Sequence, residues 1–158
     1  MSRVALRLCC WVLGCALCLA SPVKAQTPVF INEIHYDNTG TDAGEAIEIA
    51  GPAGTSLTGW SIVLYNGTGG AVYDTDALSG TIPDEVGSGF GVVVLNYAVN
   101  GIQNGSPDGI ALVNASSTVV QFLSYEGTFT AVGGPADGMV STDIGVSENG
   151  SEPLGQSL

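Results

Sequence analysis

Residues 29–50 have the sequence VFINEIHYDNTGTDAGEAIEIA, in which two apolar runs flank a polar, acidic loop. The first run, Val29–Tyr36, is rich in the β-branched and aromatic residues that favour strands. The second run, Ala46–Ala50, alternates apolar and polar residues in the way that a half-buried strand does. The stretch therefore predicts two strands joined by a polar loop, at the start of an all-β domain.

The same pattern of short β-rich runs, separated by Gly, Pro and Asn, continues outward from this stretch. Five more strands are predicted, over Trp60–Tyr65, Ala71–Tyr73, Gly91–Tyr97, Gly109–Val113 and Val119–Tyr125. Val92–Leu95 is apolar on both faces, which predicts a central strand. About seven short strands in roughly 100 residues predict an immunoglobulin-like β-sandwich.

The N-terminal 25 residues have the features of an export signal. Arg3 and Arg7 precede the apolar run Leu8–Ala20, and Val23-Lys24-Ala25 has small residues where a signal peptidase cleaves. The apolar run is shorter than the about 20 residues of a spanning helix. We therefore predict a cleaved signal peptide over residues 1–25 and one secreted domain over residues 26–158. The alternatives are an uncleaved anchor helix and a lipoprotein modified at Cys15.

Cleavage at this point would leave a strongly acidic domain. All four cysteines and all three basic residues (Arg3, Arg7 and Lys24) lie in the first 25 residues, so the secreted part has 15 Asp and Glu, no Lys or Arg, and a formal charge of −15. Without cysteines it cannot be held by disulfides. Without basic side chains it lacks the footprint for direct nucleic-acid binding, and it should repel anionic membranes.

Three motifs resemble the lamin-tail domain family. They are Ile31-Asn32-Glu33-Ile34 in the first strand, Gly44-Glu45 entering the second, and Leu57-Thr58-Gly59-Trp60 before the third. Ala46 stands where the family usually has a large apolar residue. The stretches 104–113 and 122–127 are similar to the N-terminal lamin-tail module of secreted bacterial extracellular nucleases, which precedes a catalytic domain of the endonuclease/exonuclease/phosphatase type.

The resemblance implies an immunoglobulin-like fold and a non-catalytic accessory or interaction role. Its implied partner is a downstream catalytic domain, or an extracellular protein or glycan. No catalytic residue is expected in this chain, since those of the nuclease would follow Leu158. The family continues past Gln156-Ser157-Leu158 into a closing strand. We therefore expect residues 26–158 to be truncated at the C-terminal strand and to have a weak edge.

A group of carboxylates around the first loop is the candidate metal site. Hard oxygen ligands near one turn, with no basic residue nearby in the sequence, are typical of Ca²⁺ binding. The loop is not an EF-hand, because the sixth position from Asp37 is Asp42 where Gly is required. The alternative is a solvated acidic surface. The five candidate ligands are Glu33, Asp37, Asp42, Glu45 and Glu48.

Two further functions fit the residues. The first is a stand-alone, calcium-stabilised adhesion or carbohydrate-binding module, with Trp60, Tyr65 and Tyr73 as an aromatic platform, although Trp60 also fits a core position. The second is a metal-dependent hydrolase that uses Glu33 and Glu48 as paired carboxylates. The single His35, at a strand end, is expected to be structural.

Overall fold

The computed structural model describes residues 29–158, so the predicted signal peptide lies outside the described part of the chain. Residues 29–158 form strands, turns and loops, and none of them belongs to a helix that could span a membrane. The strands are β1 (Phe30–His35), β2 (Ala46–Pro52), β3 (Ser61–Asn66), β4 (Ala71–Ala77), β5 (Phe90–Asn96), β6 (Asp108–Val113), β7 (Val119–Tyr125) and β8 (Thr142–Asp143).

The strands form two sheets, and this confirms the predicted all-β sandwich. One sheet has the order β1-β2-β5 and the other the order β4-β3-β6-β7-β8. All pairs are antiparallel except β7 with the two-residue β8. In this order β1, β2 and β5 correspond to strands A, B and E of an immunoglobulin domain, and β4, β3, β6 and β7 correspond to C′, C, F and G, with the short β8 added beside β7. All seven predicted strands are present, and β4 is longer than predicted.

The main core lies between the two sheets. Alternate residues of β2 are buried, as its sequence predicts, and each strand around it contributes side chains from one face. The fully buried aliphatic residues of the facing strands are Ile47, Ile49, Ile62, Leu64, Ile110 and Leu112. Burying an aliphatic side chain contributes about 1.5–3 kcal/mol, so this layer supplies much of the stabilisation.

A second core lies on the outer face of the five-stranded sheet. Residues 127–141, which we call the cover segment, pack Phe129, Ala131 and Ala136 against that face. Here they bury the outward side chains of β3, β6 and β7, which are Val63, Tyr65, Ala111, Val113 and Phe122. Strands β3 and β6 are therefore buried on both faces, although the whole protein is small.

A β-bulge decides which residues of β1 face the core. Phe30 pairs with Ala50 and Glu33 with Glu48, so β1 has one residue more than β2 over this interval. The extra residue changes the alternation, because side chains otherwise change face at every residue. As a result Ile31 and Ile34, three residues apart, are both buried in the core, and Phe30 and Glu33 share the outer face.

The prediction of a central strand at Val92–Leu95 is wrong. Strand β5 pairs with β2 alone, at the edge of the three-stranded sheet. Val93 and Leu95 pack against the core, whereas Val94 is 47 % exposed on the outer face. The apolar residues on the inner face of β5 therefore belong to the core, and those on its outer face form part of an exposed apolar surface.

The last residues lie beside β1. Leu158 donates from its N–H to the Ile34 carbonyl over 2.8 Å, and its carbonyl accepts from the Ile34 N–H over 3.0 Å. Ser157 donates its hydroxyl to Glu33. Leu158 thus pairs with the outer edge of β1 through its backbone, at one position.

Candidate functional site

The acidic loop between β1 and β2 brings two carboxylates together. Asp42 is buried and accepts from the Asn38 N–H over 3.3 Å and from the Asn104 amide over 3.1 Å. Asp37 lies beside it. Burial, and then the neighbouring Asp42 carboxylate, raise the pKa of Asp37. Two adjacent carboxylates that repel each other can share a proton or a cation.

Glu45 is buried and has a structural role. Its carboxylate accepts from the backbone N–H groups of Gly101, over 2.7 Å, and Ile102, over 3.0 Å. Burial raises the pKa of Glu45, and the two N–H groups oppose that shift. The side chain is fully buried. Glu45 thus holds the loop between β5 and β6 in place from the interior of the domain.

Glu33 and Glu48 form a separate pair on the outer face of the three-stranded sheet. They are cross-strand partners on β1 and β2. The Asn32 amide donates to Glu48 over 2.7 Å. Both residues line an open cavity of about 220 Å³, which is also lined by His35, Gly44, Ala46, Val94 and residues 155–157.

The structure therefore divides the five predicted metal ligands. Asp37 and Asp42 are one pair, Glu33 and Glu48 are a second pair, and the Glu45 carboxylate is bound by the N–H groups of Gly101 and Ile102. Nowhere in residues 29–158 do three or more His, Cys, Asp or Glu side chains lie where they could hold one metal ion together. A cation at Asp37 and Asp42 would need amide, backbone and water oxygens as its remaining ligands.

Glu148, which the sequence analysis did not single out, makes the densest polar contacts near this loop. Its carboxylate lies 2.8 Å from His35 Nδ1 and accepts from the backbone N–H groups of Tyr36, over 2.6 Å, and Asp37, over 2.7 Å. The Asn38 amide lies 3.2 Å from His35 Nε2. If that amide donates, Nε2 accepts and the proton is on Nδ1. His35 is thus structural, as predicted. No local motif marks Glu148, because its partners are 111–113 residues away in the chain.

The predicted aromatic platform is not assembled on the surface. Tyr65 is fully buried and accepts from the Ala136 N–H over 3.0 Å. Tyr73 accepts from the Gln103 N–H over 3.0 Å, and both Tyr73 and Trp60 pack against the main core. These three rings therefore pack in or against the interior of the domain, which agrees with the alternative of a core position for Trp60.

The outer face of the three-stranded sheet carries a group of apolar side chains beside the pair Glu33 and Glu48. The register places Phe30, Ala50 and Val92 in one row across the sheet and Pro52 beside Phe90 in the next. Phe90 is 45 % exposed, and no segment among residues 29–158 packs over these side chains as residues 127–141 pack over the other sheet. We call this surface the open face. The pair Glu33 and Glu48 lies at one end of it.

Comparison with known proteins gives no match: neither a family model, nor a curated protein, nor a solved structure corresponds to this chain.

Proposed function

We propose that this chain is a secreted, non-catalytic interaction module, the N-terminal part of an extracellular nuclease. The observation that carries the proposal is the open face. One sheet of the sandwich has its outer face covered by residues 127–141, whereas no segment among residues 29–158 covers the outer face of the other sheet, where Phe90 is 45 % and Val94 47 % exposed. A contiguous exposed apolar surface with a polar margin is typical of a protein interaction site.

The use of the polar side chains also supports a non-catalytic role. Glu45, Asp108 and Glu148 each accept two backbone N–H groups, so these carboxylates hold loops together. The single histidine is held between Glu148 and Asn38. A general base needs a free, accessible atom near the substrate, and this arrangement gives His35 none. The lamin-tail motifs support the connection with a nuclease.

The non-catalytic role is tested with DNA. The purified protein is incubated with labelled duplex and single-stranded DNA, with Mg²⁺, Ca²⁺ or Mn²⁺, at low and moderate salt. We expect the protein neither to cleave the DNA nor to bind it, because phosphate binding depends on Lys and Arg. Metal-dependent cleavage that disappears in Glu33→Gln or Glu48→Gln would overturn the proposal and make that pair an active site.

The connection with a nuclease is tested at the gene. We expect the reading frame after the codon for Leu158 to encode a metal-dependent hydrolase domain. A stop codon at that position would instead favour a stand-alone adhesion or carbohydrate-binding module.

A calcium-stabilised module is the second candidate, and the adjacent pair Asp37 and Asp42 favours it. Both carboxylates lie on one short loop, and the Asn104 amide contacts Asp42. A divalent ion would remove the repulsion between them. Because few protein ligands converge there, the affinity should be in the range of weak extracellular calcium sites, with a Kd on the order of 1 mM.

Thermal unfolding tests this second candidate. With 10 mM Ca²⁺ and a Kd of about 1 mM, the folded state gains about 1.4 kcal/mol, which raises Tm by roughly 5 °C. Sodium at equal ionic strength should not raise Tm by this amount. Asp37→Asn with Asp42→Asn should abolish the effect, and Asp84→Asn with Glu85→Gln, which removes the same charge from an exposed loop, should preserve it. Equal shifts with calcium and sodium would show that the loop is a solvated surface.

A further inference from the structure

We propose that the open face binds a protein segment that inserts one arginine side chain between Glu33 and Glu48 and packs apolar neighbours against the sheet. The inference deepens the proposed function, on which it rests, by naming the chemistry of the partner. It stands on the shape and lining of the cavity between β1, β2 and β5, on the pairing of two like charges, and on the apolar rows beside them.

The cavity has the lining that a long cationic side chain requires. Ala46 and Val94 give it an apolar lining, and Glu33 and Glu48 give it two carboxylates on adjacent strands. Arginine buries its aliphatic stem on apolar surface while its charged end meets acceptors. The planar guanidinium has five N–H donors, so it can contact both carboxylates at once.

Each carboxylate has a hydrogen-bond donor on one side only. The Asn32 amide donates to Oε1 of Glu48, and the Ser157 hydroxyl donates to Oε1 of Glu33. No hydrogen bond to Oε2 of either residue is formed by the part of the chain that the structure describes. Like charges directly opposite each other on neighbouring strands are destabilising, and residues 26–158 contain no Lys or Arg to neutralise them. A cation supplied by a partner would neutralise the two carboxylates.

The apolar rows decide against a free cation as the occupant. Val94 is next to Glu48 on β5, and the row of Phe30, Ala50 and Val92 follows on the same face. A peptide that runs over the sheet meets both surfaces, with its arginine at the acidic end. A second copy of this chain fits poorly, because a two-fold contact through this face would bring two acidic pairs close together, at a formal charge of −15 on each molecule.

The test is a nuclear magnetic resonance titration of the purified, ¹⁵N-labelled protein, with residues 1–25 present or removed as the producing cell leaves them. The probes are the capped tripeptides Val-Arg-Val, Val-Gln-Val and Gly-Arg-Gly. Val-Arg-Val should give saturable shifts of the amides of Glu33, Glu48 and Val94, with a Kd on the order of 1 mM. Val-Gln-Val should bind at least about fivefold more weakly, as expected for the loss of partly exposed ion pairs. Gly-Arg-Gly should also bind more weakly, because it lacks the apolar contacts.

Two double variants with the same charge change make the test specific. Glu33→Gln with Glu48→Gln should weaken Val-Arg-Val at least about fivefold, whereas Asp84→Asn with Glu85→Gln should leave its Kd unchanged. If both double variants weaken Val-Arg-Val binding equally, or if Val-Arg-Val and Gly-Arg-Gly bind equally well, the proposal is overturned in favour of general charge attraction. Shifts of the same amides with protein concentration alone overturn it in favour of a second copy. Absence of peptide shifts overturns the arginine site only, since the non-catalytic role is decided separately by the DNA assay.

Discussion

At the residue scale, one buried carboxylate connects the two ends of the domain. Glu148 is 1 % exposed and contacts His35, the Tyr36 N–H and the Asp37 N–H. Its own N–H lies 2.8 Å from the Tyr36 hydroxyl. The Tyr36 ring stacks on Tyr125, with centroids 3.9 Å apart. Glu148 therefore sets the start of the acidic loop and, through Tyr36, its packing on the core.

Glu148→Gln should destabilise the protein by about 2–3 kcal/mol. The neutral amide lacks the negative charge, and its NH₂ group must face either the two backbone N–H groups or His35. Tm should fall by roughly 8 °C. Thermal unfolding followed by circular dichroism measures this. The matched control is Glu85→Gln on an exposed loop, with an expected change within about 0.5 kcal/mol. Equal effects of the two substitutions would contradict the structural role of Glu148.

At the element scale, the cover segment gives the five-stranded sheet its second core. Phe129 packs edge to face on Phe122, with centroids 5.4 Å apart and an angle of 85°. A β-carbon at Gly109 would lie 2.7 Å from Phe129 Cε1 and from the Leu123 carbonyl oxygen. Only glycine allows the ring this close to β6. The loop of residues 127–141 is thus part of the packed domain.

Phe129→Ala should destabilise the protein by about 3–4 kcal/mol, because it removes buried apolar area and leaves a cavity above β6. Urea denaturation measures the change. Val132→Ala, in the same segment but 61 % exposed, should cost less than about 0.5 kcal/mol. If both variants unfold at the same urea concentration, the cover segment does not belong to the cooperative unit.

At the scale of the whole molecule, negative charge dominates. The charge of −15 from residue 26 onward favours solubility and opposes compact structure through self-repulsion. In addition, burial raises the pKa of Asp37, Glu45 and Asp108. A carboxyl whose pKa is raised by folding stabilises the folded state below its unfolded pKa, and this contribution is lost as pH rises through the folded pKa.

Stability should therefore increase as pH falls from 7.5 toward the ordinary carboxyl pKa of about 4, because these three carboxyls take up protons more readily in the folded state than in the unfolded state. We expect a higher Tm at pH 5 than at pH 7.5. Part of the difference should persist in 0.5 M NaCl, which screens exposed charges but not buried ones. A Tm that falls steadily over this pH interval would contradict the predicted role of these carboxyls.

Export is predicted to produce a protein that begins at Gln26, because the basic start, the apolar run and Val23-Lys24-Ala25 are features typical of a cleavable signal. The intact mass of the secreted protein measures this. A species that retains Met1–Ala25, or one that begins at a lipid-modified Cys15, would contradict the prediction.

The sequence by itself determined seven of the eight strands, because alternation and turn residues are local properties. It predicted the seven strands, the half-buried pattern of β2 and the structural role of His35. The candidate site was predicted only in part: Asp37 lies beside Asp42 and Glu33 opposite Glu48, but the two pairs belong to different surfaces, and Glu45 is turned inward.

Only the tertiary structure decided the features that depend on distant partners. The bulge at Asn32 turned Glu33 to the same face as Phe30, the pairing of β5 with β2 alone exposed Val94, and residues 127–141 covered one sheet and not the other. Glu148 acquired its role from groups more than 100 residues away. Strand order and face depend on which surfaces can be buried together, and this is a property of the assembled sheets that no local pattern contains.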